Sequence, residues 1–237
     1  MSVTPLMRGR IPPSDANGWD VAVTVIGGAL PSWTRPDPTP TEQPHFEIVI
    51  VDDADPQPNT LARLHEILPR IRLAVVSDHA ASSVVPNCSL RVSAAPEHLS
   101  LVAEAFVRLS TGMLFVGVDM IELMMVSNAI RRAEAPDASG RRTLEKHVGY
   151  GRSIIIDKVA IDPLPQTIRD HDHRLRDAGY AGGAVILQLV GEPDSSSFTM
   201  FDLDRFFTVC REACSGRDLV MTAAPASSSA TLMIGFA

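Results

Sequence analysis

The fold is decided by A-V-I-L-Q-L-V-G, residues 184–191, and by the three segments that follow it. This run is apolar apart from Gln188 and ends on a glycine, which is typical of a strand buried on both faces. Residues 199–210 begin with Thr and Asp at capping positions and continue as an amphipathic helix. Its apolar stripe consists of Leu203, Phe206, Phe207 and Cys210. Two more apolar runs, 219–224 and 231–236, flank the small-residue turn 225–229 and predict a β-hairpin.

Upstream of this stretch, apolar runs and helical stripes alternate along the chain, as they do in an α/β protein. Strands are predicted at 21–27, 46–51, 72–77, 89–93 and 153–161. Amphipathic or polar helices are predicted at 59–68, 99–109 and 164–178. Residues 121–133 are apolar nearly all round, which predicts a helix buried between two layers. The predicted fold class is therefore α/β, with two packed layers joined by this central helix.

Composition excludes several functional classes. The chain has 237 residues, is 45% hydrophobic, and carries a net charge of −7 without a Lys/Arg cluster, which argues against a nucleic-acid binder. The longest apolar run, 113–126, is interrupted by two carboxylates and is too short to span a bilayer, so no membrane insertion is expected. Three cysteines without metal-type spacing indicate a reducing compartment, and we expect a cytoplasmic protein.

Two stretches resemble the FtsZ branch of the FtsZ/tubulin superfamily. Residues 183–237 are similar, in the order of strand, turn, helix and two strands, to the C-terminal activation domain of that family. The run V-G-V-D-M-I-E-L-M-M-V, residues 116–126, resembles its synergy loop and the helix that leaves it. After an apparent insertion at 134–150, G-Y-G-R-S-I-I-I-D resembles the strand that follows in the family.

The resemblance implies a division of the chain into three parts. Residues 1–112 would form a degenerate nucleotide-binding-like α/β domain, and residues 113–134 a synergy-loop-like segment and the central helix. Residues 151–237 would form an FtsZ C-terminal-like α+β domain. The fold class that it implies is thus a degenerate FtsZ/tubulin-like α/β fold.

The glycine-rich phosphate turn of the family is missing. Where the resemblance places it, after the strand at 46–51, the sequence reads D-D-A-D-P-Q-P-N-T. Glycines let backbone N–H groups approach a phosphate closely, whereas prolines lack that donor. Each like-charge pair at ~4 Å costs on the order of 4 kcal/mol at an effective dielectric of about 20. We therefore expect no GTPase activity, no catalytic residues, no cofactor and no metal, although the sequence does not decide whether the chain is an enzyme of another kind.

The synergy-loop-like segment keeps the acidic character of the family. Asp119 and Glu122 stand at its two acidic positions, with Glu122 in place of the usual Asp and Gly117 in place of the usual Asn. The resemblance implies that these three residues contact a partner. Asp119 is also explained as the N-cap of an apolar helix with Glu122 as its capping-box partner, and the two roles are compatible.

The resemblance therefore predicts a catalytically inactive FtsZ-like protein that modulates or caps filament assembly in bacterial cell division. The expected partner is FtsZ or another FtsZ/tubulin-type protein, or a second copy of the chain.

The acidic turn at 52–56 also supports an alternative from another class. Carboxylates after a buried strand, with Ser77 ending the next strand, resemble the phosphoacceptor end of a receiver domain. A receiver needs a lysine after the following strand, and Ala94, Ala95 and Pro96 stand there instead. The alternative function is thus a degenerate receiver-like signalling domain without phosphotransfer activity, and a solvated turn with Asx-type hydrogen bonds explains the same residues.

Two other polar patches give weaker signals. Asp170-His171-Asp172-His173 is the densest group of metal-capable side chains, but alternate residues point apart on a helix, so an exposed charged face is expected. Residues 227–229 are three serines without a nucleophile-elbow context.

Overall fold

The structure of this protein is a computed structural model. It describes residues 5–11, 20–37, 43–80, 84–111, 114, 120–132, 144–156, 164–191, 200–227 and 229–237.

The described chain alternates strands and helices. The strands are β1 (Leu6–Ile11), β2 (Val21–Ile26), β3 (Arg35–Pro36), β4 (Phe46–Val51), β5 (Ile71–Ser77), β6 (Leu90–Ala94), β7 (Ile130–Arg132), β8 (Leu144–Lys146), β9 (Gly149–Ile156), β10 (Ala184–Val190), β11 (Leu219–Pro225) and β12 (Ala230–Phe236). The α-helices are α1 (Pro58–Ala62), α2 (Leu99–Thr111), α3 (Met120–Val126), α4 (Leu164–Asp177) and α5 (Met200–Ala213). A 3-10 turn at Arg63–Glu66 continues α1.

Ten of these strands form one sheet, in the order β11-β10-β12-β9-β6-β5-β4-β2-β1-β3. β2, β4, β5, β6 and β9 pair in parallel, whereas β12 is antiparallel to both β9 and β10, and β1 is antiparallel to β2. Strands and helices mixed in this way confirm the α/β class. Because β6 pairs with β9, the sheet continues from the N-terminal to the C-terminal half, and the predicted domain boundaries stay a prediction.

The helix that joins the two halves is α2, not the predicted helix at 121–133. α2 packs against β2, β4 and β5 and also against β11 at the far edge of the sheet, so the sheet curls around it. The apolar stripe of α2 includes Val102, Phe106 and Leu109, which lie at helical spacing and are at most 4% exposed. These side chains share one core with residues of both halves, among them Ile48 and Leu187.

The prediction for residues 121–133 was wrong in length and in burial. α3 ends at Val126, and the chain turns through Asn128, whose φ of 57° is left-handed, into β7. Leu123 and Met124 are buried, but Ile121 and Met125 are 52% and 43% exposed. A short apolar run does not reveal which of its sides meets solvent, and here only one side faces the core.

The predicted hairpin between the last two strands was also wrong. β11 and β12 do not pair with each other, because β10 lies between them, parallel to β11 and antiparallel to β12. The turn crosses the carboxyl end of β10, where the Ala226 N–H donates to the Val190 carbonyl at 2.9 Å. β12 is buried at every residue, so it needs strand neighbours on both edges, and β9 and β10 supply them.

The receiver alternative depends on an available hydroxyl at Ser77, the last residue of β5. Ser77 is buried and its hydroxyl accepts the His79 N–H at 3.3 Å, so it does not face the acidic turn as a free hydroxyl.

Candidate functional site

The carboxyl ends of β2 and β4 meet where a parallel sheet usually binds its ligand. Gly27 follows β2 with a φ of +88°, a conformation that favours glycine. A Cβ on Gly27 would lie 2.6 Å from the Cβ and 2.7 Å from the backbone nitrogen of Asp53, which follows β4. The glycine is therefore required by the packing of the chain on itself, and a phosphate is not needed to explain it.

Three backbone N–H groups at the carboxyl ends of β2 and β4 already have acceptors. The Gly27 N–H donates to the Pro5 carbonyl at 3.2 Å, and the Asp52 N–H donates to the Ile26 carbonyl at 2.9 Å. The Asp55 N–H donates to Asp53 Oδ1 at 3.0 Å, which is the Asx-type turn expected for a solvated loop. A phosphate cradle needs unsatisfied N–H groups that converge, and these three are satisfied within the chain.

The charge of this edge also disfavours an anion. The Asp52 carboxylate lies 3.8 Å from the position that a Cβ on Gly28 would take, so it occupies the space beside the glycine pair. Further along the edge, Arg152 of β9 forms an ion pair with Asp78 at 3.0 Å, and both side chains are partly exposed. The arginine is thus already paired with a carboxylate at this edge.

Of the three predicted partner-contacting residues, only Glu122 is described. Gly117 and Asp119 lie outside the described residues, and the N-cap role of Asp119 is not tested. Glu122 is exposed in the first turn of α3. Ile121 and Met125 are exposed on the same helix, so the described part of the site is a carboxylate beside two large apolar side chains.

The C-terminal end of α3 is fixed to the strands beneath it. The backbone at Val126 lies so close to Gly183 that a Cβ there would collide with the Val126 carbonyl oxygen. The Asn128 amide donates to the carbonyl of Ala237 at 3.1 Å, which ties the end of the helix to the end of β12. α3 therefore presents its exposed side from a fixed base.

The Asp170–His173 patch is only in part the exposed charged face that the sequence predicts, because Asp170 and His173 are exposed whereas Asp172 is buried. Asp172 is 6% exposed and forms ion pairs with Arg176 at 2.7 Å and with Arg217 at 2.6 Å. Arg217 also donates to the Tyr180 carbonyl at 2.8 Å, so the patch fastens α4 to the start of β11. Burial lowers the pKa of His171, and the adjacent Arg174 lowers it further. Within the described ranges, no three His, Cys, Asp or Glu side chains are placed to hold a metal ion.

The cysteine thiols are expected to be unreactive in the folded protein. Burial raises the pKa of Cys88 and Cys214 to about 11 and also raises the pKa of Cys210. At pH 8 a thiol with a pKa of about 11 is about one thousandth thiolate, and the thiolate is the nucleophile. At pH 8, an aromatic disulfide reagent should therefore label the three thiols rapidly when the protein is unfolded in about 8 M urea. It should label them very slowly when the protein is folded in buffer. A native thiol that reacts as fast as free cysteine would contradict this reading.

No family model matches the chain, and no curated protein matches it. Solved structures do match. CetZ2 from Haloferax volcanii, solved as a GTPγS-bound protofilament, is 14% identical with a TM-score of 0.38, over 82% of this chain and 66% of that one. CetZ from Methanosaeta thermophila strain DSM 6194 is 11% identical with a TM-score of 0.41, over 82% and 61%. The type III plasmid segregation protein TubZ is 9% identical with a TM-score of 0.32, over 82% and 64%.

These neighbours belong to the tubulin/FtsZ superfamily. The similarity is too distant to assign this chain to a family or to the FtsZ branch. The chain spans less than two thirds of the length of each of these proteins. Among the described helices, none is both long and apolar enough to cross a bilayer.

Proposed function

We propose that the chain is a filament-binding relative of FtsZ and tubulin that does not hydrolyse GTP. It binds a filament of that type through residues 117–122 and the exposed side of α3, and it modulates or caps filament assembly. We propose cell division as the process that this activity serves, because the sequence resembles FtsZ.

One contrast between two parts of the molecule carries the proposal. At the carboxyl ends of β2 and β4, the N–H groups of Gly27 and Asp52 are satisfied within the chain, and the Asp52 carboxylate lies beside Gly28. On α3, Ile121 and Met125 are exposed at i, i+4 spacing beside the exposed Glu122, which is the composition of a protein contact that combines apolar and charged side chains. The protein thus has a surface suited to a partner and an edge unsuited to a nucleoside triphosphate.

This contrast has a consequence for assembly. In the FtsZ family that the sequence resembles, one subunit supplies the acidic loop and its neighbour supplies the nucleotide. A chain that supplies only the loop can add to the nucleotide-bearing end of a filament. It then presents no nucleotide for the acidic loop of the next subunit to contact. It therefore stops growth at that end, and it acts at substoichiometric concentration because a filament has few ends.

The proposal is tested by adding the protein to FtsZ and GTP and measuring sedimentable polymer and phosphate release. We expect the wild type to reduce sedimentable polymer, and Ile121→Asp to weaken this effect by about tenfold or more, as for a residue at the centre of an interface. Asp119→Ala should weaken it as well. Asp204→Ala on α5 is the matched control, since it removes an exposed carboxylate from another helix and should behave as wild type.

Two outcomes would overturn the proposal. The first is a wild-type protein that changes neither polymer mass nor phosphate release. The second is an effect that Ile121→Asp, Asp119→Ala and Asp204→Ala all leave unchanged, because the filament would then contact some other surface.

A further inference from the structure

Two separate apolar cores cover the face of the sheet that lies opposite α2 and α3. The first includes residues of β2, β4 and β5 together with Leu64 of the 3-10 turn. The second joins α4 and α5 to the C-terminal strands and includes Ile156 of β9 and Met233 of β12. Among the described residues, neither core contains one from β6, although β6 lies between β5 and β9 in the middle of the sheet. The middle of this face is therefore left between the two cores.

On this face, β6 and the first half of β9 carry polar and aromatic side chains. The apolar residues of β6 pack into the core that contains α2, so the residues between them, Arg91 and Ser93, point to the opposite face. The register pairs Arg91 with Tyr150 on β9. It also pairs Ser93 with Arg152, and residues paired in this way share a face of the sheet. We call this patch the polar strip; it consists of Arg91, Ser93, Tyr150 and Arg152.

The polar strip is accessible to solvent. Tyr150 is 51% exposed, and the Arg152 side chain is 42% exposed. Arg91 and Ser93 are half-buried. A strand in the middle of a parallel sheet is normally apolar on both faces, because helices cover both. β6 departs from that pattern on one face, and the packing of the two cores does not account for the departure.

The strip brings two arginines together in a chain whose net charge is −7. Arg91 and Arg152 are diagonal neighbours on adjacent strands, which places their Cα atoms about 8 Å apart. The Arg152 Nη2 donates to Asp78 Oδ2 at 3.0 Å. Within the described residues this is the hydrogen bond that the Arg152 guanidinium forms, so its Nε and Nη1 keep N–H donors for a second carboxylate.

The composition and shape of the strip favour a protein segment as its ligand. Arginine and tyrosine are enriched at the centres of protein interfaces. Small-molecule ligands bind in concave sites, whereas the strip lies along a sheet face and suits an extended chain. Carboxylates are the planar partners that a guanidinium binds through two parallel hydrogen bonds. The charge and the donors of the strip are therefore complementary to an acidic segment.

We propose that the polar strip binds an acidic segment of a partner protein. Carboxylates of that segment pair with Arg152 and Arg91, and Tyr150 packs against its backbone. The strip lies on the opposite face of the sheet from α3, so this surface is separate from the one proposed above to bind a filament and does not depend on it.

Fluorescence anisotropy of a labelled oligoglutamate peptide measures this binding, with a neutral Gly/Ser peptide of the same length as the reference probe. We expect saturable binding of oligoglutamate that weakens as salt is added, and none of the Gly/Ser peptide. Arg152→Gln should weaken binding by about fivefold, the effect of one partly exposed ion pair. Tyr150→Ala should weaken it as well. Asp78→Asn should tighten it by up to about fivefold, because it removes the carboxylate that offsets Arg152.

Arg211→Gln is the matched control, since it removes an exposed arginine from α5 and should bind as wild type. A wild-type protein without saturable binding would overturn the proposal. So would equal weakening by Arg152→Gln and Arg211→Gln, or wild-type binding by both Arg152→Gln and Tyr150→Ala. Asp78→Asn changes a partly exposed side chain and decides the matter if Arg152→Gln does not fold; binding that it fails to tighten contradicts the proposal.

Two further measurements distinguish the acidic segment from other occupants. Inorganic phosphate that displaces oligoglutamate at the same concentration of charge would show a site for small anions. Sedimentation that finds a dimer of the wild type and a monomer of Arg152→Gln would show a contact between two copies of the chain. Either result would overturn the proposal, whereas a monomer from which phosphate does not displace the peptide supports it.

Discussion

Arg72→Met is expected to lower the free energy of unfolding by about 3–5 kcal/mol, the usual cost of leaving one member of a buried ion pair alone. Arg72 is 1% exposed, and its Nε donates to Glu47 Oε2 at 2.6 Å across two parallel strands. Glu47 Oε1 accepts the Thr24 hydroxyl at 2.8 Å from the next strand. The remaining nitrogens of the guanidinium donate to carbonyl oxygens of Leu64, Ile67 and Pro86.

This network joins the N-terminal strands to the segment between β4 and β5. The segment between β4 and β5 is only a short helix and a 3-10 turn, and Arg72 holds the end of that turn through the Leu64 and Ile67 carbonyls. Removing the guanidinium leaves the Glu47 carboxylate buried without its cation and leaves those carbonyls without a donor.

Urea unfolding followed by circular dichroism measures the loss. The matched control is the double variant Glu47→Leu/Arg72→Met, which removes both charges and should recover part of the stability that the single variant loses. A single variant within about 1 kcal/mol of wild type, the range of an ordinary substitution, would contradict the expectation. So would a double variant that is less stable than the single one.

Phe106→Ala should cost about 3–5 kcal/mol and should destabilise both halves of the sheet together. Phe106 is fully buried on α2, in a core that includes strands from both halves. The cavity that the substitution leaves is therefore shared by both halves, and neither can keep its packing while the other loses it.

Hydrogen exchange of β4 and β10, with urea unfolding, tests this expectation. Both strands should lose protection to the same extent, since each lies against α2 or its core. Phe207→Ala is the matched control, because Phe207 is only partly buried and belongs to the separate core under α4 and α5. Loss of protection in β4 alone would show that the halves fold independently and that α2 is not the element that joins them.

Much of the fold was predictable because strand and helix periods are local properties. The limits of β4 and β10 match the predicted runs, since each is apolar at all but one residue and is followed by an Asp or a Gly. Strand pairing is not local. The turn after β11 is short enough for a hairpin, and no local pattern indicates that β10 lies between the two strands.

β1 escaped prediction for a related reason. Its sequence, L-M-R-G-R-I, lacks an apolar pattern because it lies near the edge of the sheet and faces solvent on part of its surface. The structure explains the two arginines of β1, because Arg8 forms an ion pair with Glu66 and Arg10 forms one with Asp20. Ion pairs between residues this far apart in the chain cannot be predicted from a single sequence.

The site was partly predictable. The missing glycines and the acidic turn were visible in the sequence, but the use of the Gly27 and Asp52 N–H groups within the chain required coordinates. The exposed side of α3 was hidden by the uniform hydrophobicity of its residues, and the polar strip combines residues of β6 and β9 that are far apart in the chain. Neither feature has a short-range sequence signature.

Equilibrium binding of labelled GTP to the purified protein tests the central claim most directly. With Mg²⁺ present and GTP at micromolar concentration, we expect no saturable binding. The reason is that the carboxyl ends of β2 and β4 carry the Asp52 carboxylate and N–H groups that are hydrogen-bonded within the chain. Saturable binding in that range would show that the chain holds a nucleotide and would contradict the account of it as a filament-binding protein without a nucleotide site.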